Sequence, residues 1–144
     1  MDEVMVTPPT GKLPCKAVGI IVINEKGEIL LLDRRKGTPG WACPAGHVEP
    51  GEHELVTAKR ELFEETGVQA NDSMKLVLWA DINNPCNRGA KAHEWWIYTM
   101  VVDHDLAELK EPKSHKGIGW FELAEAEALE IEPIWRLVLN MAFI

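Results

Sequence analysis

Hydrophobic and polar residues follow two different periods along this chain, and each period predicts one kind of element. Runs rich in β-branched residues indicate β-strands, and they cover residues 16–24, 29–35, 75–82, 93–102 and 118–123. Apolar residues spaced three or four positions apart indicate helices, and these cover residues 52–66, 124–130 and 133–142. The first two strands are expected to form a hairpin. The whole pattern predicts the α/β class, as a mixed sheet with helices on both faces.

The helix predicted over residues 52–66 has two chemically different sides. Pro50-Gly51 breaks the chain before it, and Gly67 fits its C-terminal end. One side is an apolar stripe made of Leu55, Ala58 and Leu62. Because this stripe lies beside a row of carboxylates, one flank of the helix is expected to anchor on a sheet while the neighbouring flank faces a cleft.

The carboxylates of this helix are the most informative feature of the sequence. Glu61, Glu64 and Glu65 occupy positions i, i+3 and i+4, so they project within an arc of about 100°. Like charges this close repel one another unless a cation compensates them. The simplest compensator is a hard divalent metal that prefers carboxylate and phosphate oxygens, Mg²⁺ above all, with Mn²⁺ as a substitute.

These carboxylates belong to a longer pattern. It consists of Gly46, five residues, Glu52, seven residues and the run Arg60-Glu61-Leu62-Phe63-Glu64-Glu65-Thr66-Gly67-Val68. The pattern resembles the Nudix box of the MutT-like pyrophosphohydrolases, G-x5-E-x7-R-E-U-x-E-E-x-G-U, at every fixed position, where U is a bulky aliphatic residue. The chain is therefore identified as a member of that family. The resemblance implies a Nudix-type α/β/α sandwich.

The resemblance also implies which residues hold the metal. Glu64 and Glu65 are expected to be the main side-chain ligands, with Glu61 as a further ligand or as the general base. The carbonyl of Ala45 matches a position that commonly completes the coordination. Gly46 would permit the close backbone approach that this coordination needs.

Other residues are expected to support the chemistry around the metal. Arg60 would hold a box carboxylate through a charge-assisted contact, and Glu52 is favoured electrostatically at the helix start. The general base stays open, because the family uses either a box glutamate or an acidic residue of a later loop. Its candidates are Glu61, Glu94, Glu108 and Glu111.

Residues outside the box are candidates for substrate contacts. Arg34, Arg35 and Trp41 lie next to the box in sequence and are placed to meet a base or a phosphate. Trp96 lies in the fourth predicted strand, where an aromatic side chain facing the cleft could stack on a nucleobase, although most such residues are core. Glu111 begins a Glu-Pro-Lys segment that resembles a segment in some nucleotide-hydrolysing members of the family.

The bulk properties narrow the class of partner. The 144 residues are expected to form one domain over residues 14–144, after a flexible tail over residues 1–13. A net charge of −8 argues against a nucleic-acid polymer, including capped RNA, but not against a small nucleotide whose metal reverses the local sign. No signal segment or membrane-spanning run is present, so a cytoplasmic protein with no membrane partner is expected. A homodimer is compatible with the sequence.

Cysteine and histidine add no further site to this picture. Cys15, Cys43 and Cys86 form no C-x-x-C pair, so they are expected to be reduced thiols. The histidines show no spacing typical of metal ligands and are expected to be exposed loop residues. They are His47, His53, His93, His104 and His115.

The expected function is Mg²⁺-dependent hydrolysis of a diphosphate linkage in a nucleoside diphosphate derivative. The small domain favours a (d)NTP as substrate, giving (d)NMP and pyrophosphate. The alternatives are ADP-ribose, nucleotide sugars or dinucleoside polyphosphates as substrates, and a non-catalytic module that senses nucleotides. Because all four glutamates of the box are retained, the sequence favours an enzyme.

Overall fold

The computed structural model describes residues 3–35, 40–85 and 88–142. Within them the strands are β1 (Val6–Thr7), β2 (Lys16–Ile23), β3 (Ile29–Arg34), β4 (Gly40–Ala42), β5 (Ala45–His47), β6 (Lys75–Ile82), β7 (His93–Val101) and β8 (His115–Phe121). The helices are α1 (Glu54–Thr66), α2 (Leu123–Glu127) and α3 (Pro133–Ala142).

The strands form one mixed sheet in which β2 is central. Neighbouring strands follow the order β1-β6-β7-β2-β3-β4, while β5 pairs with β2 and β8 pairs with β3. β2 and β7 run parallel, from Lys16 opposite Glu94 to Ile23 opposite Val101. The other pairs among these strands are antiparallel, and β2 and β3 form the expected hairpin. The predicted α/β class with a mixed sheet is confirmed.

The two faces of the sheet bury two separate clusters. Successive side chains of a strand point to opposite faces. Even-numbered residues of β2, such as Val18, cluster with Ala58 and Leu62 of α1. Odd-numbered residues of β2, such as Ile21, cluster with Trp135 of α3. Helices therefore cover both faces, and the predicted apolar stripe anchors α1 as expected.

Both ends of α1 carry recognisable caps. The helix begins at Glu54, later than predicted, because His53 caps it: His53 Nδ1 accepts a hydrogen bond from the Leu55 N–H at 3.1 Å. Gly67 adopts a left-handed conformation with φ of 75°, and its N–H donates to the Phe63 carbonyl at 2.8 Å. The predicted glycine stop is confirmed.

Some elements differ from the sequence-based prediction. β1, β4 and β5 were not predicted, since two or three residues are too few to show a period. β8 begins at residue 115 rather than 118, and α2 ends at residue 127 rather than 130. Most of the loop predicted over residues 36–40 lies outside the described residues.

β1 lies within the segment that the sequence assigned to a tail. Thr7 of β1 is opposite Asp81 of β6, and Thr10 Oγ1 donates to Asp81 Oδ2 at 3.0 Å. These contacts to the sheet were not anticipated. The division into residues 1–13 and 14–144 stays a prediction.

Cys43 lies in the hydrophobic core of the protein. Cys43 is a buried thiol, and burial raises its pKa. Cys86 lies outside the described residues. Among the helices that the structure describes, none is long and apolar enough to cross a membrane.

Candidate active site

A pocket of about 240 Å³ lies where β5 and α1 meet the sheet face that carries Ala17 and Trp95. Its lining includes Gly46 of β5, Glu61 and Glu65 of α1, and Trp95 of β7. β5 pairs with β2 and packs against α1. This short strand therefore lies between the carboxylates of the helix and the central strand β2.

Glu61 lies directly against Gly46. A Cβ atom at position 46 would be 2.2 Å from the Glu61 Cδ, so no larger residue fits there without moving the carboxylate. Burial raises the pKa of Glu61 to about 7, the neighbouring Arg60 lowers it and the charge of Glu64 raises it. The close approach predicted at Gly46 is therefore that of the Glu61 carboxylate to the Gly46 backbone.

Glu65 is the most buried carboxylate of the helix, with 5% of the residue exposed. Its Oε1 accepts a hydrogen bond from the Ala45 N–H at 3.1 Å. Burial raises its pKa well above the usual range, against the lowering effect of that hydrogen bond, and the charges of Glu61 and Glu111 raise it further. Glu65 thus lies beside the backbone of Ala45, whose carbonyl the resemblance assigned to the metal.

Arg60 binds the acidic residues around it. Its Nη2 and Nε donate to the two carboxylate oxygens of Glu52 at 3.0 and 3.2 Å. Its Nη1 donates to Glu61 and to Glu64, in each case at 3.2 Å. The expectation that Arg60 holds a box carboxylate agrees with this geometry. Glu64, whose side chain is 47% exposed, is turned to Arg60 and does not line the pocket.

The carboxylates in the pocket fit a divalent cation. Burial raises the pKa of both Glu61 and Glu65, and the charge of Glu61 raises the pKa of Glu65 further. A hard cation would offset both penalties, and carboxylate oxygens are the donors that Mg²⁺ prefers. Over the described ranges of the chain, no three Asp, Glu, His or Cys side chains converge into a ready-made metal site. Glu64 would have to leave Arg60 to join the other two.

Comparison with known proteins identifies this arrangement. The NUDIX domain model matches residues 13–139. The chain belongs to the Nudix family. The prediction of a Nudix hydrolase acting on a diphosphate linkage of a nucleotide derivative is confirmed at the level of the family.

Two curated relatives cover most of the chain. The asymmetrical bis(5'-nucleosyl)-tetraphosphatase of Rattus norvegicus is 36% identical over 106 residues, which are 73% of this chain and 71% of that protein. The RNA pyrophosphohydrolase of Haemophilus ducreyi is 31% identical over 119 residues, 72% of this chain and 58% of that protein.

Two solved structures share the Nudix fold with this chain. The NUDIX domain of Shewanella oneidensis NrtR complexed with ADP ribose gives a TM-score of 0.75 at 17% identity, covering 93% of this chain and 90% of that one. A C. elegans Ap4A hydrolase binary complex gives 0.66 at 24% identity, covering 89% and 95%. At these identities the comparison shows the fold alone.

The substrate-contact candidates divide into two groups. Arg34 and Glu111 line the pocket with the Nudix-box carboxylates. Three others do not line it: Arg35 donates from Nε to the Pro112 carbonyl at 2.8 Å, Trp41 packs edge-on against Phe121 and Trp96 stacks on Trp79. It is Trp95, on the opposite face of β7 from Trp96, that reaches the pocket.

Two of the four candidates for general base line the pocket, and two do not. Glu94 is buried beside Trp79, whose Nε1 donates to it at 2.8 Å, and neither it nor the exposed Glu108 lines the pocket. Glu61 and Glu111 do line it, and burial followed by the charge of Glu64 raises the pKa of Glu111. These two carboxylates stay candidates for the base.

The prediction that all histidines are exposed loop residues is wrong. His47, His93 and His115 line the pocket, and His93 and His115 are 4% and 7% exposed. His47 was missed because β5 was not predicted, and His115 because β8 begins earlier than predicted. His93 could have been found from strand alternation, since it shares a face with Trp95.

Burial has the same effect on all three of these imidazoles. It lowers the pKa of His47 and of His115 and brings that of His93 to about 4. The charge of Arg34 lowers each of them further. Neutral histidines therefore line the pocket at neutral pH.

Proposed function

We propose that the chain hydrolyses a diphosphate linkage in a nucleoside polyphosphate with the help of Mg²⁺. The observation that supports this most directly is the pair of desolvated carboxylates, Glu61 and Glu65, on one wall of a pocket large enough for a nucleoside. Among the described residues, Arg60 donates a hydrogen bond to Glu61 at 3.2 Å, whereas Glu65 forms no ion pair and the one cation whose charge lowers its pKa is the more distant Arg34. This is the charge arrangement that a metal–phosphate complex would balance.

The residues around the metal would have different roles. Glu61, Glu65 and the Ala45 carbonyl would hold it, and Glu64 would join them by exchanging its contact with Arg60. When bound, the metal neutralises phosphate charge and lowers the pKa of the attacking water. Arg60, fixed by Glu52 through two hydrogen bonds, orients the carboxylates of Glu61 and Glu64, which both accept hydrogen bonds from its Nη1.

The comparisons change the order of the substrate candidates. A volume of about 240 Å³ lies below the ~300–1,000 Å³ usual for small-molecule sites, so it suits one nucleoside rather than two. The similarity to a tetraphosphatase over 73% of the chain favours dinucleoside polyphosphates, with the second nucleoside outside this pocket. A (d)NTP is the second candidate, because it presents the same nucleoside and diphosphate.

The test is a hydrolysis screen with and without Mg²⁺, with products separated by chromatography. The panel holds dinucleoside tetraphosphates, (d)NTPs, ADP-ribose, nucleotide sugars and a 5'-triphosphorylated RNA. Wild type should cleave one class at a diphosphate linkage. Glu64→Gln should fold normally and lose most activity, whereas Glu127→Gln, an exposed glutamate of α2, should match wild type.

Two outcomes would count against the proposal. Activity of Glu64→Gln equal to wild type at saturating Mg²⁺ would remove Glu64 from the metal site. An absence of hydrolysis across the panel, combined with a higher melting temperature in the presence of nucleotides, would favour the sensing module instead. A cytoplasmic location and a homodimer stay predictions.

A further inference from the structure

A row of ring side chains forms part of the pocket wall. The ring centroids of His47 and His93 are 5.4 Å apart, those of His93 and Trp95 are 5.6 Å apart, and those of Trp95 and Trp135 are 5.7 Å apart. All four residues line the pocket. We call them the ring wall. Successive rings are tilted by 40°, 54° and 81°, so a nucleobase would pack against them one ring at a time. Contacts of aromatic rings with a nucleobase tolerate any base, so they give affinity without selectivity.

A buried ion pair supplies polar groups in the same pocket. Arg34 Nη1 donates to Glu132 Oε2 at 3.1 Å and to Oε1 at 3.3 Å, and both residues line the pocket. Glu132 is 5% exposed and lies one helical turn before Trp135 of the ring wall, whose N–H donates to the Glu132 carbonyl at 2.9 Å. A carboxylate has about four lone-pair directions, and a single nitrogen leaves part of them available to a ligand.

An unpartnered nitrogen lies next to this pair. His115 is 7% exposed, lines the pocket and is opposite Arg34 in the pairing of β8 with β3. Its Nδ1 has no hydrogen-bond partner among the described residues. A buried polar atom without a partner carries a free-energy cost that a ligand with hydrogen-bonding groups would remove.

We propose that Glu132, held in place by Arg34, hydrogen-bonds to the edge of a nucleobase packed against the ring wall and selects bases that carry an exocyclic amino group. This specificity rests on the proposed function, because it assumes that the pocket receives a nucleotide. A carboxylate only accepts hydrogen bonds, so it pairs with the amino group of adenine, cytosine or guanine. The 4-keto oxygen of uracil or thymine would face Glu132 acceptor to acceptor.

Cytosine and uracil make a matched pair for the test. They have the same size and stacking surface, and they differ at the edge that Glu132 would contact. The dissociation constants of CMP and UMP are measured by titration calorimetry without metal. Because burial raises the pKa of Glu132, the measurement is made at pH 8. Wild type should bind CMP more tightly than UMP by about tenfold or more.

Two variants separate a contact with the base from a structural effect. Glu132→Gln replaces one acceptor with an amide donor of the same shape, so the preference for CMP should fall to about one or reverse. Glu130→Gln makes the same chemical change at an exposed neighbour and should keep the wild-type preference. The readout is the ratio of two affinities, which a general loss of packing would not reverse.

Each result decides the proposal. Equal affinity of wild type for CMP and UMP, or no binding of either, would overturn it. So would a CMP preference that survives in folded Glu132→Gln. If that variant does not fold, the wild-type comparison still decides. Since no metal or turnover is involved, an enzyme that prefers CMP but hydrolyses nothing would refute the proposed function and leave this specificity intact.

Discussion

Protonation of His93 should destabilise the folded protein. His93 is 4% exposed at the start of β7, and its ring lies between those of His47 and Trp95. Its Nδ1 is 3.1 Å from the Asn84 carbonyl oxygen. Burial, followed by the charge of His47, lowers the pKa of His93 from 6.5 to about 4 despite the contact with Asn84. The fold therefore keeps the imidazole neutral.

The sign and size of the effect follow from this pKa. Between pH 6.5 and about 4 the unfolded chain binds more protons at His93 than the folded chain does. The stability due to the neutral ring is complete above pH 6.5 and is lost as the pH falls. At 1.36 kcal/mol per pKa unit, the full loss would be about 3.4 kcal/mol, of which about 2 kcal/mol is reached by pH 5.

Urea unfolding of wild type and His93→Asn at pH 8 and pH 5 tests this prediction. Asparagine can keep a nitrogen near the Asn84 carbonyl but does not titrate. The difference between the two pH values should be smaller for His93→Asn by about 2 kcal/mol, whatever its stability at pH 8. The reasoning about His93 would be refuted if both proteins lost the same free energy of unfolding.

The remaining predictions concern the carboxylates. Gly46→Ala should lower kcat by about 100-fold with an unchanged circular dichroism spectrum, because the new Cβ would displace the Glu61 carboxylate; kinetics equal to wild type would contradict this steric argument. Mg²⁺ at 100 times its Kd should raise the unfolding free energy of wild type by about 2.7 kcal/mol. The same Mg²⁺ titration should raise that of Glu65→Gln much less, and equal thermal shifts would show that Glu65 does not hold the metal.

The long periodic elements could be predicted because local pattern and tertiary packing agree in them. The bounds of Lys75–Ile82 and Pro133–Ala142 match the prediction at both ends. The capped helix Glu54–Thr66 was predicted to within its first turn. Its box pattern also predicted that Arg60 contacts a box carboxylate, and the contact with Glu64, four residues later, depends only on positions along one helix.

What the sequence did not reveal depends on how elements meet. Glu61, Glu64 and Glu65 share one arc of α1, but only the packing of the helix decides that Glu64 stays at the exposed edge. Alternation correctly separated Trp95 from Trp96, yet nothing local says which face of β7 meets the pocket. The period of an element and the set of residues that share one of its faces are local properties. Which face is exposed depends on how the element packs against the others.

The three residues of β5 explain why the missed elements matter for function. Gly46 lies against Glu61 of α1, while its neighbour His47 belongs to the ring wall. Because successive residues of a strand point to opposite sides, one short strand separates the carboxylates from the proposed base-binding surface. A change at Gly46 should therefore act mainly on kcat, and His47→Ala mainly on KM. If His47→Ala lowered kcat and raised KM together, the ring wall and the carboxylates would not be independent parts of the pocket.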